Sequence, residues 1–459
     1  MKIAIVGSGI AGLTAAHLLY ARHELTLFEA GEHVGGHTNT VTLDDDGKPL
    51  DIDTGFIVFN PHAYPNFCRL LDKLGVASRE SDMSFAVSCE RNGIEYAGSG
   101  LNTLFGQRRS VLRPSHYRMI FDIMRFNREA RAIAAQLKSE PGARATGYAG
   151  TVGECAESGE RTGSGGLPHS LALGVRMDTS PADQTLREFL AQRRFSQVFI
   201  DRYVIPMGAA IWSADPRSFD QVPLRFFVQF LDNHGMLSGF DRPIWRTISG
   251  GSKQYVLKLI QPFADRIRLR TPIASIRRDA TGVELTPSGA PPERFDHVII
   301  AAHSDQALRM LADASQAERE ILTAIPFQRN DTVLHSDASL MPRRRRVWSS
   351  WNVRIPQRES GMLNASYYMN LLMGLRSRNE YFVTLNETDR IAPASVRRRI
   401  EYHHPVFTLA SVAAQQRWAE ISGVNRTHFC GAYWRFGFHE DGVWSGIRAA
   451  RSIEPSAEL

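Results

Sequence analysis

The sequence is poor in cysteine and lysine and has no long uninterrupted apolar run. Its 459 residues include only four cysteines, Cys68, Cys89, Cys155 and Cys430, and no two of them form a CxxC pair. This spacing excludes a zinc cluster and a disulfide framework and favours a reducing compartment. No segment reaches the ~20 apolar residues that a membrane-spanning helix needs, so any membrane contact would be peripheral.

Charges of the two signs nearly balance. The chain has 54 Lys and Arg against 48 Asp and Glu, a net charge of +6. Arginine makes up most of the basic residues, a skew that reflects gene base composition more than phosphate recognition, so no nucleic-acid partner is expected. The apolar stretch Ile3–Ala16 is broken by glycines and lacks a cationic region and a cleavage site, so it is not a signal peptide. We expect a cytoplasmic protein, with peripheral contact at the inner face of the membrane as an alternative.

The first thirty residues carry the pattern of a nucleotide-binding βαβ unit. Ile3–Val6 is a short β-branched run, apolar residues then recur at helical spacing, and Leu25–Phe28 is a second apolar run. The turn before the helix reads Gly7-x-Gly9-x-x-Gly12. Its glycines allow a tight turn, a close backbone approach to a pyrophosphate and close packing of helix on strand. The unpaired N–H groups of the helix N-terminus complete an anion site, so the unit predicts dinucleotide binding.

Residues after the second strand bear on which dinucleotide binds. Glu29 follows the middle glycine by 20 residues, where its carboxylate can accept hydrogen bonds from both ribose hydroxyls. Gly35 and Gly36 let a second backbone segment approach the pyrophosphate, which an extended, permanently held FAD needs more than an exchanging NAD. His37 and Thr38 could contact phosphate, although a histidine in such a turn is as often simply exposed. The glycine pair favours FAD.

The C-terminal segment predicts a strand, a loop and a helix. Phe429–Trp434 begins it, Asp441 is placed to cap the helix, and Gly442 permits close approach. The N-terminus of this helix, directed at the pyrimidine end of a flavin, would stabilise the negative charge that collects there on reduction. The alternating stretch Asp51–Phe59 predicts a further strand, in which Gly55 would let the backbone approach a flat ring.

Composition divides the chain into two interleaved domains. Residues 139–182 lack periodicity and predict a mobile insertion. The nucleotide-type patterns predict a discontinuous FAD-binding domain of residues 1–60, 247–305 and 425–455. The remaining segments predict a substrate domain of residues 61–246, which contains the insertion, and 306–424.

Four consecutive arginines, Arg343–Arg346, lie between two predicted strands of the substrate domain. Such a run is typical of a solvated turn. The alternative is a site for an anionic head group or a membrane surface.

In their order along the chain, these residues resemble the cofactor contacts of the superfamily of flavin-containing amine oxidases, protoporphyrinogen oxidases and phytoene desaturases. The resemblance covers nearly the whole chain. It implies an α/β fold, with a Rossmann-like FAD-binding domain of the GR2-type and an interleaved α+β substrate domain. It implies noncovalent FAD, since Cys430 lacks the neighbours of a covalent attachment site, and no metal. The FAD contacts that it implies are Gly7, Gly9, Ile10, Ala11, Gly12, Glu29, Ala30, Gly35, Gly36, His37, Thr38, Gly55, Phe56, Ile57, Ile273, Ala301, Gly431, Glu440, Asp441 and Gly442.

Several segments resemble, more closely, the bacterial flavoproteins associated with cyclopropane-fatty-acid synthases. They are Pro206–Ser213, Asn233–Gly235, Trp245–Ser252, His404–Phe407 and Phe429–Trp434 with Gly437–Gly442. This resemblance implies a lipophilic substrate, a fatty acyl chain of a phospholipid. It also implies a methyltransferase of the cyclopropane-fatty-acid-synthase type as a partner.

The last motif departs from the superfamily's amine oxidases. They carry Gly-Thr-Glu near the flavin, whereas here Gly431 is followed by Ala432 and Tyr433. The acidic contact of that motif is therefore missing.

Hydride transfer to a flavin requires a protein that holds a C–H bond beside the ring and excludes water. Trp212, Tyr433 and Trp434 are candidate pocket walls, although ordinary core aromatics look the same. His234 and His439 are candidate proton acceptors, although each is also typical of a structural histidine. On a strand, Tyr433 and Trp434 would face opposite sides and form a poor cage for an amine.

We therefore expect an FAD-dependent dehydrogenase or desaturase of methylated or unsaturated acyl chains. The alternatives are an amine oxidase and a non-catalytic flavoprotein that serves a lipid methyltransferase. The sequence also leaves a redox-neutral isomerase open.

Overall fold

The computed structural model describes residues 1–139, 184–238, 243–358 and 361–459. Apart from its first residue, the insertion predicted at 139–182 lies outside the described residues. The strands are β1 (Lys2–Val6), β2 (Glu24–Phe28), β3 (Thr40–Asp45), β4 (Lys48–Asp53), β5 (Val58–Phe59), β6 (Ser78–Glu80), β7 (Phe85–Cys89), β8 (Ile94–Ala97), β9 (Arg246–Ile248), β10 (Ile267–Arg268), β11 (Ile273–Arg278), β12 (Val283–Pro287), β13 (Glu293–Phe295), β14 (His297–Ile300), β15 (Phe327–His335), β16 (Trp351–Ile355), β17 (Ala365–Tyr368), β18 (Phe382–Leu385), β19 (Val396–Pro405) and β20 (Thr427–Phe429). The α-helices are α1 (Ile10–Leu19), α2 (Pro65–Leu74), α3 (Leu101–Leu104), α4 (Pro114–Ser139), α5 (Leu186–Gln192), α6 (Gln197–Phe199), α7 (Ile205–Trp212), α8 (Leu224–Asn233), α9 (Lys253–Ile260), α10 (Ser304–Met310), α11 (Gln316–Thr323), α12 (Met369–Leu372), α13 (Leu409–Gln416) and α14 (His439–Arg451).

A parallel sheet carries the predicted nucleotide-binding unit. Its five strands pair in the order β10-β2-β1-β14-β20, all in parallel. The side chains of β1 alternate between the two faces of the sheet. Ile3 and Ile5 pack in the core on one face, and Ala4 and Val6 pack in the core on the other. Parallel strands need cover on both faces, which explains their nearly continuous apolar sequences. All five strands come from the three segments predicted to form the FAD-binding domain.

Helices from outside those three segments also cover the parallel sheet. Phe67, Leu70 and Leu71 of α2 bury in the core that α1, α9 and α14 share with one face. On the other face, α11 and α13 contribute to the core through Leu322 and Ala414. Helices from both sets of segments therefore cover the sheet, because an open sheet must bury both of its faces wherever the covering helices lie in the chain. The domain boundaries at residues 60, 305 and 425 stay predictions.

A second, seven-stranded sheet has the order β19-β15-β18-β17-β16-β7-β8 and is antiparallel except between β16 and β7. It shares a phenylalanine-rich core with α4, α5, α7 and α8. Residues 60–138 supply β7 and β8 to this sheet. Strand β19 was missed because its residues 396–399 read Val-Arg-Arg-Arg and lack an alternating apolar pattern.

Two local predictions differ from the structure. The stretch Asp51–Phe59 is not one strand, because β4 ends at Asp53 and β5 begins at Val58. Tyr433 and Trp434 lie in a 3-10 turn rather than on a strand, with their ring centroids 5.1 Å apart. The argument that they face opposite sides of a strand is therefore wrong.

The remaining strands form small sheets around the two large ones. They are the hairpin β3-β4 and the three-stranded sheets β11-β12-β13 and β5-β9-β6. Among the described residues, no helix is both long enough and apolar enough to cross a membrane.

Candidate functional site

A cavity of about 1380 Å³ connects the glycine turn with the seven-stranded sheet. It exceeds the roughly 300–1,000 Å³ of most small-molecule pockets, so it has room for a dinucleotide and a second ligand. The end at the parallel sheet is lined by the turn before α1 and by Glu29. Trp351 of β16 and Tyr367 of β17 line the opposite end.

The N-terminus of α1 opens onto the cavity. Gly9 precedes the helix, and no side chain caps its first N–H groups. Ile10 and Ala11, the first two helical residues, line the cavity. Gly12 turns away from it: a Cβ there would lie 2.1 Å from the carbonyl oxygen of Gly7. Uncapped amides facing a cavity and a glycine that lets the helix pack on β1 are the features that a pyrophosphate site requires.

Glu29 lies at the carboxyl end of β2 and helps to fix the shape of the turn. Its Oε2 accepts hydrogen bonds from the amide of Ser8 at 2.9 Å and from the Ser8 hydroxyl at 2.5 Å. Its Oε1 accepts from the amide of Gly31 at 2.7 Å. Glu29 also lines the cavity. Its carboxylate is therefore available to the ribose hydroxyls of a dinucleotide and at the same time orders the backbone of the glycine turn.

His37 lies at the same end of the cavity and is neutral. Burial and the neighbouring His403 lower its pKa to about 4. Its ring stacks on Tyr402 at 4.8 Å and lies 5.3 Å from that of His404. Within the described part of the chain, its buried Nε2 has no hydrogen-bond partner. A polar ligand would satisfy this atom, so these residues fit a bound dinucleotide.

Thr38 and His439 belong to a buried hydrogen-bonded group. The Thr38 hydroxyl lies 2.5 Å from the Tyr255 hydroxyl, and both contact His439 Nε2, at 3.1 and 2.7 Å. The His439 ring stacks on Phe56 at 3.5 Å, and burial holds the pKa of His439 well below its usual range. Because two hydroxyls already contact its Nε2, His439 is better suited to positioning Phe56 than to accepting a proton.

The three predicted contacts at the start of α14 stabilise the fold. Glu440 accepts hydrogen bonds from the amide of Phe67 at 2.9 Å and the side-chain amide of Asn66 at 2.5 Å, so it caps α2. Burial nevertheless raises the pKa of Glu440 to about 7. Asp441 accepts from the amide of Phe438 at 2.9 Å, as predicted for a capping residue. At Gly442, a Cβ would lie 2.5 Å from the Ile10 side chain of α1.

Aromatic residues surround His234 between α8 and α14. The Phe230 ring stacks on His234 at 3.9 Å, and the Phe438 ring lies 5.6 Å from it. His234 Nδ1 lies 2.9 Å from the carbonyl oxygen of Phe230, so Nδ1 carries the proton and Nε2 is an acceptor. Nε2 is buried with no partner among the described residues. Burial lowers the pKa of His234 to about 4, so this histidine is also neutral.

The candidate aromatic walls separate into two groups. Trp212 lines the cavity, and its indole N–H donates to the carbonyl oxygen of Phe436 at 2.8 Å, which fixes the ring. Tyr433 lines the cavity as well. Trp434 is instead buried in the core beside the parallel sheet. Cys430 is buried, burial raises the pKa of its thiol, and it does not line the cavity.

The structure brings most of the predicted contacts to one cavity. Those that line it are Gly7, Gly9, Ile10, Ala11, Glu29, Ala30, Gly35, Gly36, His37, Gly55, Phe56, Ile57, Ile273, Ala301 and Gly431, together with the candidate catalytic residues Trp212, His234, Tyr433 and His439. Those that do not are Gly12, Thr38, Glu440, Asp441, Gly442 and Trp434.

Sequence reasoning missed several cavity residues. His303 lies just beyond the carboxyl end of β14, and burial lowers its pKa to about 3. The apolar strand before it was a usable signal, because ligands bind beyond the carboxyl ends of parallel strands. Tyr402 comes from the unpredicted strand β19, and no local pattern marks it. His404 lies on the same strand and begins the segment His404–Phe407 of the closer resemblance, which was the usable signal for it.

Comparison with known proteins is consistent with this geometry. A family model described as flavin containing amine oxidoreductase matches residues 10–330. An L-amino-acid oxidase from Pseudechis australis is 49% identical over 47 residues, which is 10% of this chain and 9% of that protein. A zeta-carotene desaturase from Synechocystis sp. is 41% identical over 76 residues, 16% of this chain and 15% of that protein. The matched stretches thus span less than a sixth of these relatives.

Solved structures share the fold over nearly the full length. A triple mutant of putrescine oxidase has a TM-score of 0.65 and 15% identity, with 98% of both chains covered. A CLA-producing fatty acid isomerase from P. acnes has a TM-score of 0.63 and 15% identity, also with 98% of both chains covered. Since the family model matches most of the sequence, the chain belongs to the flavin-containing amine oxidoreductase family and is an FAD-dependent oxidoreductase.

Proposed function

We propose that this protein is an FAD-dependent dehydrogenase that introduces a double bond into a fatty acyl chain. The observation that carries the proposal is the apolar character of the cavity beneath the seven-stranded sheet, where Met207, Ile211, Tyr367 and Leu385 are among the lining residues. An acyl chain gains free energy when such a surface removes it from water. A buried ammonium group would instead require a buried partner of opposite charge.

Desaturation removes a hydride from one carbon and a proton from its neighbour. A bound flavin supplies the hydride acceptor. His234 offers the proton acceptor at Nε2, because its Nδ1 proton is held by the Phe230 carbonyl group. With a pKa lowered to about 4 by burial, the imidazole is unprotonated at neutral pH and returns the proton readily after transfer.

The surrounding aromatic side chains would orient the chain and exclude water. The Trp212 and Phe230 rings lie 4.6 Å apart, and the Phe230 and Phe438 rings 4.8 Å apart. The hydrogen bond from Trp212 to the loop before α14 fixes this wall against the flavin-binding half of the molecule. A rigid apolar wall restricts the conformations of a bound acyl chain, which favours one reactive C–H bond.

Two similar proteins have names consistent with this chemistry, a zeta-carotene desaturase and a CLA-producing fatty acid isomerase. The resemblance to flavoproteins associated with cyclopropane-fatty-acid synthases points to methyl-branched phospholipid chains as the substrate. A methyltransferase of that type is then the partner that we propose.

A carboxylate at the cavity rim favours a second candidate, an amine oxidase. Asp82 lines the cavity and accepts hydrogen bonds from the amide of Ser84 at 2.8 Å and the hydroxyl of Ser350 at 2.7 Å. A diamine could place its distant ammonium group there. Putrescine oxidase shares the fold.

Anaerobic mixing of the purified holoenzyme with candidate substrates tests the proposal. We expect phospholipids with methyl-branched or unsaturated chains to bleach the flavin spectrum, and an amine panel to leave it unchanged. His234→Gln should slow bleaching while flavin content stays the same. Asp82→Asn should leave bleaching by acyl chains unchanged.

Bleaching by amines alone, lost in Asp82→Asn, would establish the amine oxidase instead. A shifted double bond without net bleaching would indicate an isomerase.

A further inference from the structure

A group of large apolar side chains is exposed beside the substrate half of the molecule. Leu112 is 86% exposed and Leu101 is 77% exposed. Three more residues, Tyr117, Phe121 and Met124, follow at spacings of four and three along α4 and therefore share one helix face. We name this surface the α3–α4 patch, and it comprises Leu101, Val111, Leu112, Tyr117, Phe121 and Met124.

The patch is ordered by its own contacts. The Tyr117 hydroxyl donates to the carbonyl oxygen of Val111 at 2.9 Å. The rings of Tyr117 and Phe105 lie 5.7 Å apart. These contacts tie Phe105, just after α3, and the segment that carries Leu112 to the start of α4, so α3, this segment and α4 hold their exposed apolar side chains in one region. An exposed apolar surface of this kind marks an interaction site rather than an ordinary solvated face.

Positive charge surrounds the patch. The only acidic residue between positions 101 and 128 is Asp122, which is fully buried and accepts hydrogen bonds from Arg118 and from the amide of Ser196. Arg346, an exposed residue of the four-arginine run, adds a further positive charge near the patch. It lies beside Gly106, just after α3, because a Cβ at Gly106 would be 3.7 Å from the Arg346 side chain. The arginines between positions 101 and 128 are Arg108, Arg109, Arg113, Arg118, Arg125 and Arg128.

Two other arginines of the run, Arg344 and Arg345, pair with acidic residues of the protein. Arg344 pairs with Glu95 at 2.7 Å, and Arg345 pairs with Glu380. Arg345 also lies over the ring of Trp348 at 4.5 Å. The run is therefore partly structural, and it is Arg346 that extends the positive rim of the patch.

The patch adjoins the cavity. Gly98 and Ser99 line the cavity and immediately precede the turn into α3. On its inner face, α4 contributes Met119 to a small buried cluster, against which Phe85 and Tyr203 pack. Both of these aromatic residues line the cavity. The same helix therefore presents apolar side chains outward and supports the cavity wall inward.

We propose that the α3–α4 patch docks on the surface of an anionic phospholipid bilayer. Its apolar side chains enter the interface, and the arginines pair with lipid phosphates. Charge complementarity argues for this occupant, because arginine dominates the segment, its one carboxylate between positions 101 and 128 is buried, and the next, Glu129, lies beside Arg125 and Arg193. Docking would bring the cavity rim at Gly98 next to the acyl chains, a consequence that rests on the proposed function.

Flotation of the holoenzyme with vesicles tests the docking. The vesicles contain phosphatidylglycerol and phosphatidylcholine with chains that do not bleach the flavin, so binding is measured without turnover. We expect the triple variant Leu101→Ser, Leu112→Ser, Phe121→Ser to lose at least about tenfold in binding, because each change removes apolar area from the interface. The double variant Leu257→Ser, Leu409→Ser is the matched control, since Leu257 and Leu409 are 57% and 50% exposed elsewhere on the surface.

Charge provides an independent arm of the same experiment. Replacement of Arg108, Arg109 and Arg113 by glutamine should weaken binding by about fivefold per arginine, and high salt should weaken wild-type binding. Vesicles of phosphatidylcholine alone should bind least.

Other outcomes overturn the proposal. Equal binding by the triple variant and the control would place membrane contact elsewhere. A wild-type dimer in light scattering that the triple variant dissociates, without vesicle binding, would make the patch a contact between two copies of the chain. Vesicle binding without flavin reduction by any acyl chain would refute the proposed function but leave the docking intact.

Discussion

Glu29 offers the sharpest test of the cofactor site, because one carboxylate orders the turn and faces the cavity. It accepts hydrogen bonds from two groups of Ser8, at 2.9 and 2.5 Å, and from the Gly31 amide at 2.7 Å. In Glu29→Gln, an amide NH₂ replaces one of these acceptor oxygens and meets a donor. A hydrogen bond from a ribose hydroxyl to this carboxylate would contribute about 1.5–3 kcal/mol, so its loss corresponds to roughly 10- to 150-fold weaker binding of the dinucleotide.

We therefore expect the dissociation constant of FAD to rise by about 10- to 100-fold in Glu29→Gln. Titration of apoprotein with FAD, followed by quenching of flavin fluorescence, measures it. Glu24→Gln is the matched control, because Glu24 begins the same strand, is exposed and does not line the cavity. FAD affinity within twofold of wild type in a folded Glu29→Gln protein would refute the assigned role of Glu29.

Three further predictions concern packing, charge and the aromatic wall. A Cβ at Gly446 would lie 2.4 Å from the carbonyl oxygen of Ala11. Gly446→Ala should therefore lower the free energy of unfolding by about 1–3 kcal/mol, which denaturant titration measures. It should also weaken FAD binding, which the flavin content of the purified protein measures. Burial raises the pKa of Glu440 from 4.5 to about 7 on folding. Between these two pH values the folded state therefore binds one more proton than the unfolded state, and the free energy of unfolding falls by up to about 3 kcal/mol as the pH rises through this range. Glu440→Gln should flatten this pH dependence in melting curves. Trp212→Phe leaves the Phe436 carbonyl group without its 2.8 Å donor and should slow flavin reduction by substrate, in stopped-flow measurements, without loss of FAD.

Each of these predictions has an outcome that contradicts it. An unchanged unfolding curve for Gly446→Ala would mean that α14 shifts away from α1 without cost. A pH dependence in Glu440→Gln equal to that of wild type would assign the effect to Asp53 and Asp441, whose pKa values burial raises to about 6. An unchanged reduction rate in Trp212→Phe would show that the indole hydrogen bond does not position the wall.

The cofactor end could be predicted because its signals are local in sequence. The spacing of Gly7, Gly9 and Gly12, the strand that ends before Glu29 and the pair Gly35-Gly36 all follow from the backbone needs of one βαβ unit. The order of these motifs then located the chain in its family without tertiary information.

Other parts of the site depend on contacts between distant segments. The motif at the start of α14 predicts that Glu440 contacts the cofactor. In the structure Glu440 instead caps α2, whose amides lie more than 370 positions away in the sequence. His439 reads as a base, but Thr38 and Tyr255 contact its Nε2. Strand β19 pairs with β15 through an exposed, arginine-rich sequence whose composition is not that of a buried strand.

The most direct test of the account uses an acyl chain deuterated at the reactive positions. Anaerobic reaction with the holoenzyme is followed by the flavin spectrum and by mass spectrometry of the lipid. The account predicts one flavin reduced for each chain that loses two deuterium atoms, one as deuteride to the flavin and one as a deuteron, at a rate lower than with the undeuterated chain. Full flavin reduction by an amine, with acyl chains recovered unchanged in mass and in double-bond position, would contradict it.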